Sequence, residues 1–130
     1  NFPGEDSPFV TAADFLEAKR QIPSLKLTFD NGNAASGEDH LESLKKCFDD
    51  VVHVHLKDWD ISETPVEGWR RMKDGRYYTP ALIGEGNIDS RATVKLLDEL
   101  GYSGFVNIEY EGNKYPADAG VRQVLEYLRK

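Results

Sequence analysis

Apolar and polar residues alternate along three short stretches of the chain. Leu25, Leu27 and Phe29 alternate with Lys26, Thr28 and Asp30; Val52, Val54 and Leu56 with His53, His55 and Lys57; Val106, Ile108 and Tyr110 with Asn107, Glu109 and Glu111. A period of two predicts strands, over Leu25 to Asp30, Val51 to Asp58 and Phe105 to Glu111. Elsewhere the period is helical. Thr11 with Asp14 forms a capping box that opens a helix over Ala12 to Gln21, and Pro23 stops it. Asn31-Gly32-Asn33 reads as a break, after which Leu41, Leu44 and Phe48 predict a helix over Glu38 to Asp49. Asp89 or Ser90 caps a helix carrying Val94, Leu97 and Leu100, which Gly101 ends. After Pro116, Val121, Val124, Leu125 and Leu128 line one face of a last helix. Between Trp59 and Ile88 no period is visible, and about thirty residues without one read as a functional loop or lid.

The order is therefore α/β, about three parallel strands alternating with four helices. Strands joined through helices are parallel and normally apolar on both faces, so a polar face on each needs a purpose. Polar residues converging at strand C-terminal ends are how a (β/α)8 barrel builds an active site. Three parallel strands do not close a barrel and leave unpaired edges. The expectation is that residues 1–130 are the C-terminal part of such a barrel, starting at the end of strand five, and that this chain associates into a homo-oligomer.

Composition narrows the function. The chain is 39% hydrophobic with a formal net charge of −7, a balance that phosphate backbones repel, so nucleic acid is not expected as a partner. No membrane segment or secretory start is visible. Cys47 is the only cysteine, which excludes an internal disulfide and favours a cytoplasmic setting. Its place on an amphipathic helix predicts buried packing.

Asp30, His55 and Glu109 sit at or near the ends of the three polar faces. Carboxylate, imidazole and carboxylate make a mixed O/N ligand set for a divalent metal ion, Mn²⁺, Mg²⁺, Co²⁺ or Zn²⁺. Each has an alternative: Asp30 as a turn cap, His53 in place of His55, Glu111 in place of Glu109. Lys57 shares the face of His55, either as a charge near substrate or as a solvated strand end. Trp69, Arg70, Arg71, Lys73, Arg76, Tyr77 and Tyr78 form a basic, aromatic cluster suited to a sugar, carboxylate or phosphate, or to an ordinary solvated loop.

The runs LTFDNGN, HVHLKD, GEGNID and GYSGFVNIEYEG, in this order, resemble the second half of the sugar phosphate isomerase/epimerase superfamily, the xylose isomerase-like TIM barrels. The resemblance implies that Asp30, His55 and Glu109 are metal ligands and that Glu109 is also one of two catalytic carboxylates. It implies a substrate contact from Asn33 and a turn at Gly84-Glu85-Gly86 in which Glu85 is structural or near substrate; read from the residues themselves, Lys57 is a candidate charge near the substrate, and Trp69 and Arg70 are candidate substrate contacts of the lid. A further glutamate immediately before Asn1 would complete the set, so this chain by itself is expected to be inactive. The implied reaction is proton transfer next to the carbonyl of a sugar or keto-polyol, through an enediolate, by an isomerase or epimerase. A lyase of the inosose dehydratase kind, or a non-catalytic carbohydrate- or protein-binding member of the fold, are the alternatives. The endonuclease members' extra ligands have no counterpart at Tyr77 to Ala81, in keeping with the absence of nucleic acid.

Overall fold

The computed structural model describes residues 1–130. Helix α1 spans Ala12–Gln21 and opens as expected, with the Thr11 hydroxyl accepting from the Asp14 N–H and the Asp14 carboxylate accepting from the Thr11 N–H. Strand β1 is Leu27–Asp30, β2 is Val51–Leu56, and a later strand, β6, is Val106–Ile108. They form one parallel sheet in the order β1-β2-β6. Helices α3 (His40–Cys47), α4 (Ser90–Glu99) and α5 (Ala117–Arg129) complete the α/β alternation. Leu27, Phe29, Val54 and Leu56 face these helices and bury against Phe15, Leu44, Leu97 and Val124, with Cys47 among them. Each such side chain contributes about 1.5–3 kcal/mol by leaving water. The opposite face carries the polar residues of the alternating pattern.

Two expectations change. Asn31-Gly32-Asn33 does not break the chain but begins a short helix, α2 (Asn31–Ala35), so the helices number five rather than four. The Asp30 side chain caps it, and the chain passes from strand to helix without a loop. The segment from Trp59 to Ile88 is not a structureless lid. It holds β3 (Asp58–Ser62), β4 (Arg70–Arg71) and β5 (Tyr77–Ala81), an antiparallel sheet in the order β3-β5-β4. Trp59, Met72, Tyr78, Ile88 and Ala35 form its own small core, with the Trp59 and Tyr78 rings edge to face at 6.0 Å. Strand β4 is too short, and Pro80 in β5 too disruptive, for alternation to show in the sequence. No helix is long and apolar enough to cross a membrane.

Candidate active site

Strand register brings the polar residues together. Asp30 lies opposite His55, His55 opposite Asn107, and Leu56 opposite Ile108, which sets Glu109 level with Lys57. The Glu109 N–H donates to the Leu56 carbonyl at 2.8 Å, continuing the ladder past the end of β6. His55 Nδ1 is 3.0 Å from Glu109 Oε2. Lys57 Nζ reaches Glu109 Oε1 at 3.0 Å, Glu111 Oε2 at 3.1 Å and Asp30 Oδ2 at 4.0 Å. His53, one pleat earlier, touches the group only through its ring, edge to face with His55 at 5.2 Å.

Asp30 does two jobs. Its Oδ1 accepts from the Asn33 N–H at 2.8 Å as the cap of α2, whereas Oδ2 is buried without a hydrogen-bond partner. Neighbouring Asn33 Oδ1 is also buried and unpaired, while its Nδ2 donates to the Asn1 carbonyl at 3.4 Å. Orphaned acceptors are costly unless a ligand satisfies them. Burial pushes the Asp30 carboxyl up to about 6 against the opposing pull of Lys57. Burial acts in the same direction on Glu109, but the Lys57 contact and His55 outweigh it and hold that carboxyl below its usual range. Burial pulls the Lys57 ammonium downward, but Asp30, Glu109 and Glu111 outweigh it and hold the group above its usual range.

Asn31 and Gly32 support the group. Asn31 Oδ1 accepts from the Lys57 N–H at 2.8 Å, and its Nδ2 donates to Ser90 Oγ at 3.1 Å, tying both strand ends to the start of α4. A Cβ on Gly32 would stand 3.1 Å from the Lys57 stem and 3.0 Å from Trp59 Nε1, so a side chain there would crowd the lysine.

Asp30, Asn33, His55, Lys57, Arg70, Glu109 and Glu111 line one cleft of about 360 Å³, closed on one side by Asn1, Phe2 and Pro3. Trp69 and Glu85 are not among its walls. Glu85 instead accepts from Lys114 Nζ at 2.8 Å and from the Tyr115 hydroxyl at 2.7 Å, at a separate hollow. A wider hollow of about 600 Å³ is lined by Glu38, His40, Asp74 and Arg76, without a converging ligand set.

Residues 1–130 match the family described as the xylose isomerase-like TIM barrel. The chain belongs to this family. Among its curated relatives, the inosose dehydratase of Clostridium perfringens is 37% identical over 113 residues, covering 80% of this chain and 35% of the relative. That of Geobacillus thermodenitrificans is 33% identical over 124 residues, covering 90% and 39%. The chain thus spans between a third and two fifths of the length of these relatives. Two solved structures share the fold. A xylose isomerase domain protein from Planctomyces limnophilus has a TM-score of 0.71 at 24% identity, over 97% of this chain and 43% of that one. The 3-keto-D-glucoside 4-epimerase of E. coli has a TM-score of 0.68 at 23% identity, over 95% and 41%.

In this xylose isomerase-like chain the donor atoms of Asp30, His55 and Glu109 all lie within 4.8 Å of one another. Oxygen and nitrogen ligands about 2.1 Å from one ion are separated by about 3 to 4.2 Å, so a small side-chain adjustment would converge them. The unpaired Asp30 Oδ2 fits the same purpose, and the set suits a hard or borderline divalent cation.

Asp58 was missed by pattern reading. Its Oδ2 accepts from the N–H groups of Gly84 and Gly86 at 3.0 and 3.1 Å, and its Oδ1 from those of Ile88 and Trp59, both at 2.8 Å. It ties the GEGNI turn to the start of β3. A carboxylate closing the HVHLKD run, with a Gly-x-Gly further on, was the available signal.

Proposed function

We propose that this chain carries the metal-binding and proton-handling side of an active site that removes the proton next to the carbonyl of a keto-polyol. The observation that carries this reading is the convergence of Asp30, His55 and Glu109 around an unpaired, buried carboxylate oxygen. A divalent ion held by these residues would act as a Lewis acid toward the substrate's oxygens.

Glu109 is the base. Its Oε2 belongs to the ligand cluster with His55, leaving Oε1, beside Lys57, to accept the carbon-bound proton. The electron pair moves to the carbonyl oxygen, and the buried Lys57 ammonium favours the negative charge that grows there. Asn33, with its free amide oxygen in the cleft, accepts from a substrate hydroxyl.

The enediolate has two fates: regaining a proton, as in an isomerase or epimerase, or expelling the hydroxyl of the next carbon as water. The curated relatives bear the name inosose dehydratase, which supports the second fate, a lyase acting on a keto-polyol related to an inosose. The test follows an inosose and an acidic keto-sugar in deuterium oxide by NMR, with the chain carried in a polypeptide of its relatives' full length rather than by itself. Loss of water that falls by about 10² to 10⁴ in Glu109→Gln supports the reading. Deuterium returned to the same carbon without water loss assigns an epimerase, and no exchange at all overturns both.

A homo-oligomer is part of the proposal. Phe105 is 82% exposed, Phe2 69% and Val52 57%, and β6, the last strand of its sheet, has no strand partner on its outer side. Exposed edges and apolar side chains favour association. Sedimentation at micromolar concentration should show a dimer or larger species; a monomer that unfolds cooperatively would overturn it.

A further inference from the structure

Four cations lie on the segment between β3 and β5: Arg70, Arg71, Lys73 and Arg76. Three are neutralised by acids. Arg71 Nη1 is 2.6 Å from Glu5 Oε1, Lys73 Nζ is 3.6 Å from Asp14 Oδ2, and Arg76 Nε is 2.8 Å from Asp74 Oδ2. Arg70 makes no ion pair, and of the four it alone lines the cleft with Asp30, His55 and Lys57. The pleat explains the division. Arg70 and Arg71 are consecutive residues of β4, opposite Tyr78 and Tyr77, so their side chains leave opposite faces. Lys57, the other cation of the cleft, is buried and already engaged by carboxylates.

We propose that Arg70 binds an anionic group, a carboxylate or a phosphate, on a sugar-like substrate whose keto-polyol end lies at Asp30, His55 and Glu109. The direction of the substrate rests on the function proposed above; the preference for an anion rests on Arg70 itself. A guanidinium offers a planar fork that matches a carboxylate or phosphate in two parallel hydrogen bonds, a match that neutral hydroxyls do not reproduce. Local charge sharpens the inference. Asp30, Glu109 and Glu111 face Lys57 and Arg70 in this cleft, leaving an excess of negative charge that disfavours an anion until a divalent cation reverses it. Anion and metal should therefore strengthen each other's binding, by the same factor in either order.

Calorimetric titration with Mn²⁺ present, using D-glucuronate, D-glucose 6-phosphate and D-glucose as probes, tests this. At least one anionic sugar should bind about tenfold or more tighter than glucose. Arg70→Ala should reduce that advantage to about twofold or less, with Arg70→Lys between. The anionic sugar that loses more identifies the group as carboxylate or phosphate. Equal binding of all three probes, or an advantage that survives Arg70→Ala, would overturn the proposal. A Mn²⁺ titration without sugar keeps the two readings apart. Failure of the ion to bind strikes the metal reading, whereas Arg70 is judged only by the ratio of anionic to neutral sugar.

Discussion

His55 and Glu109 are 54 residues apart in the chain, yet His55 Nδ1 stands 3.0 Å from Glu109 Oε2 across neighbouring parallel strands. The contact depends on β2 and β6 running level, and on Glu109 continuing the ladder one residue past the end of β6. With Asp30 alongside, it forms a cluster whose donor atoms lie close enough to hold a metal ion, and His53, on the same strand face, is not part of that cluster.

His55→Ala should therefore weaken Mn²⁺ binding strongly, by at least about tenfold, and His53→Ala should not. Calorimetry on both variants decides it. Equal losses would mean that the histidines share the role.

Lys57 is the counter-ion of the site. Replacing it by Met leaves Asp30, Glu109 and Glu111 facing one another without a cation, and removing one partner of a buried pair costs about 3 to 5 kcal/mol. The half-exposed Glu109 and Glu111 should bring the loss toward the lower end. Added Mn²⁺ should restore more stability to the variant than it adds to the parent chain, measured by urea unfolding. An unchanged midpoint in Lys57→Met would show that the lysine neutralises nothing.

Asp58→Asn exchanges an acceptor of four backbone N–H groups for an amide that presents donors to some of them. Stability should fall by about 2 to 4 kcal/mol. Gly86→Ala should act on the same joint, because an added Cβ would collide with Asp58 Oδ1 and come within 2.7 Å of the Trp59 carbonyl. The double variant should lose less than the sum of the single losses, as expected when both disrupt one set of contacts. Full additivity in denaturant unfolding would contradict a shared origin.

Cys47 gives the chain an alkaline signature. Burial raises its thiol from 9.0 to about 11, so the folded state keeps the proton over a range where the unfolded state releases it. The associated stability is intact below about pH 9 and is lost as pH rises through about 11, a change on the order of 2 to 3 kcal/mol. Cys47→Ala should be less stable than the parent at pH 8 through lost packing, and the gap should shrink above pH 9. A gap independent of pH would refute the assignment.

The sequence by itself determined the elements whose signals are local. Period-two alternation gave the three parallel strands, the Thr11–Asp14 box and Asp89 or Ser90 marked helix starts, and the polar strand faces offered Asp30, His53 or His55, and Glu109 or Glu111, among which the family resemblance pointed to Asp30, His55 and Glu109. Register and pairing lay beyond it. Two-residue β4 cannot display a period, and the small sheet exists because Trp59, Met72 and Tyr78 bury one another across distant positions. The alternation placed Lys57 and His55 on one face but could not show a buried ammonium shared among carboxylates, nor separate Arg70, at the cleft, from Arg71, tied to Glu5. Glu85 shows the converse: a motif residue that the packing of Lys114 and Tyr115 engages away from the cleft. Local propensity follows from neighbours in the chain, whereas charge state, burial and the choice of partner follow from which residues the folded backbone brings together.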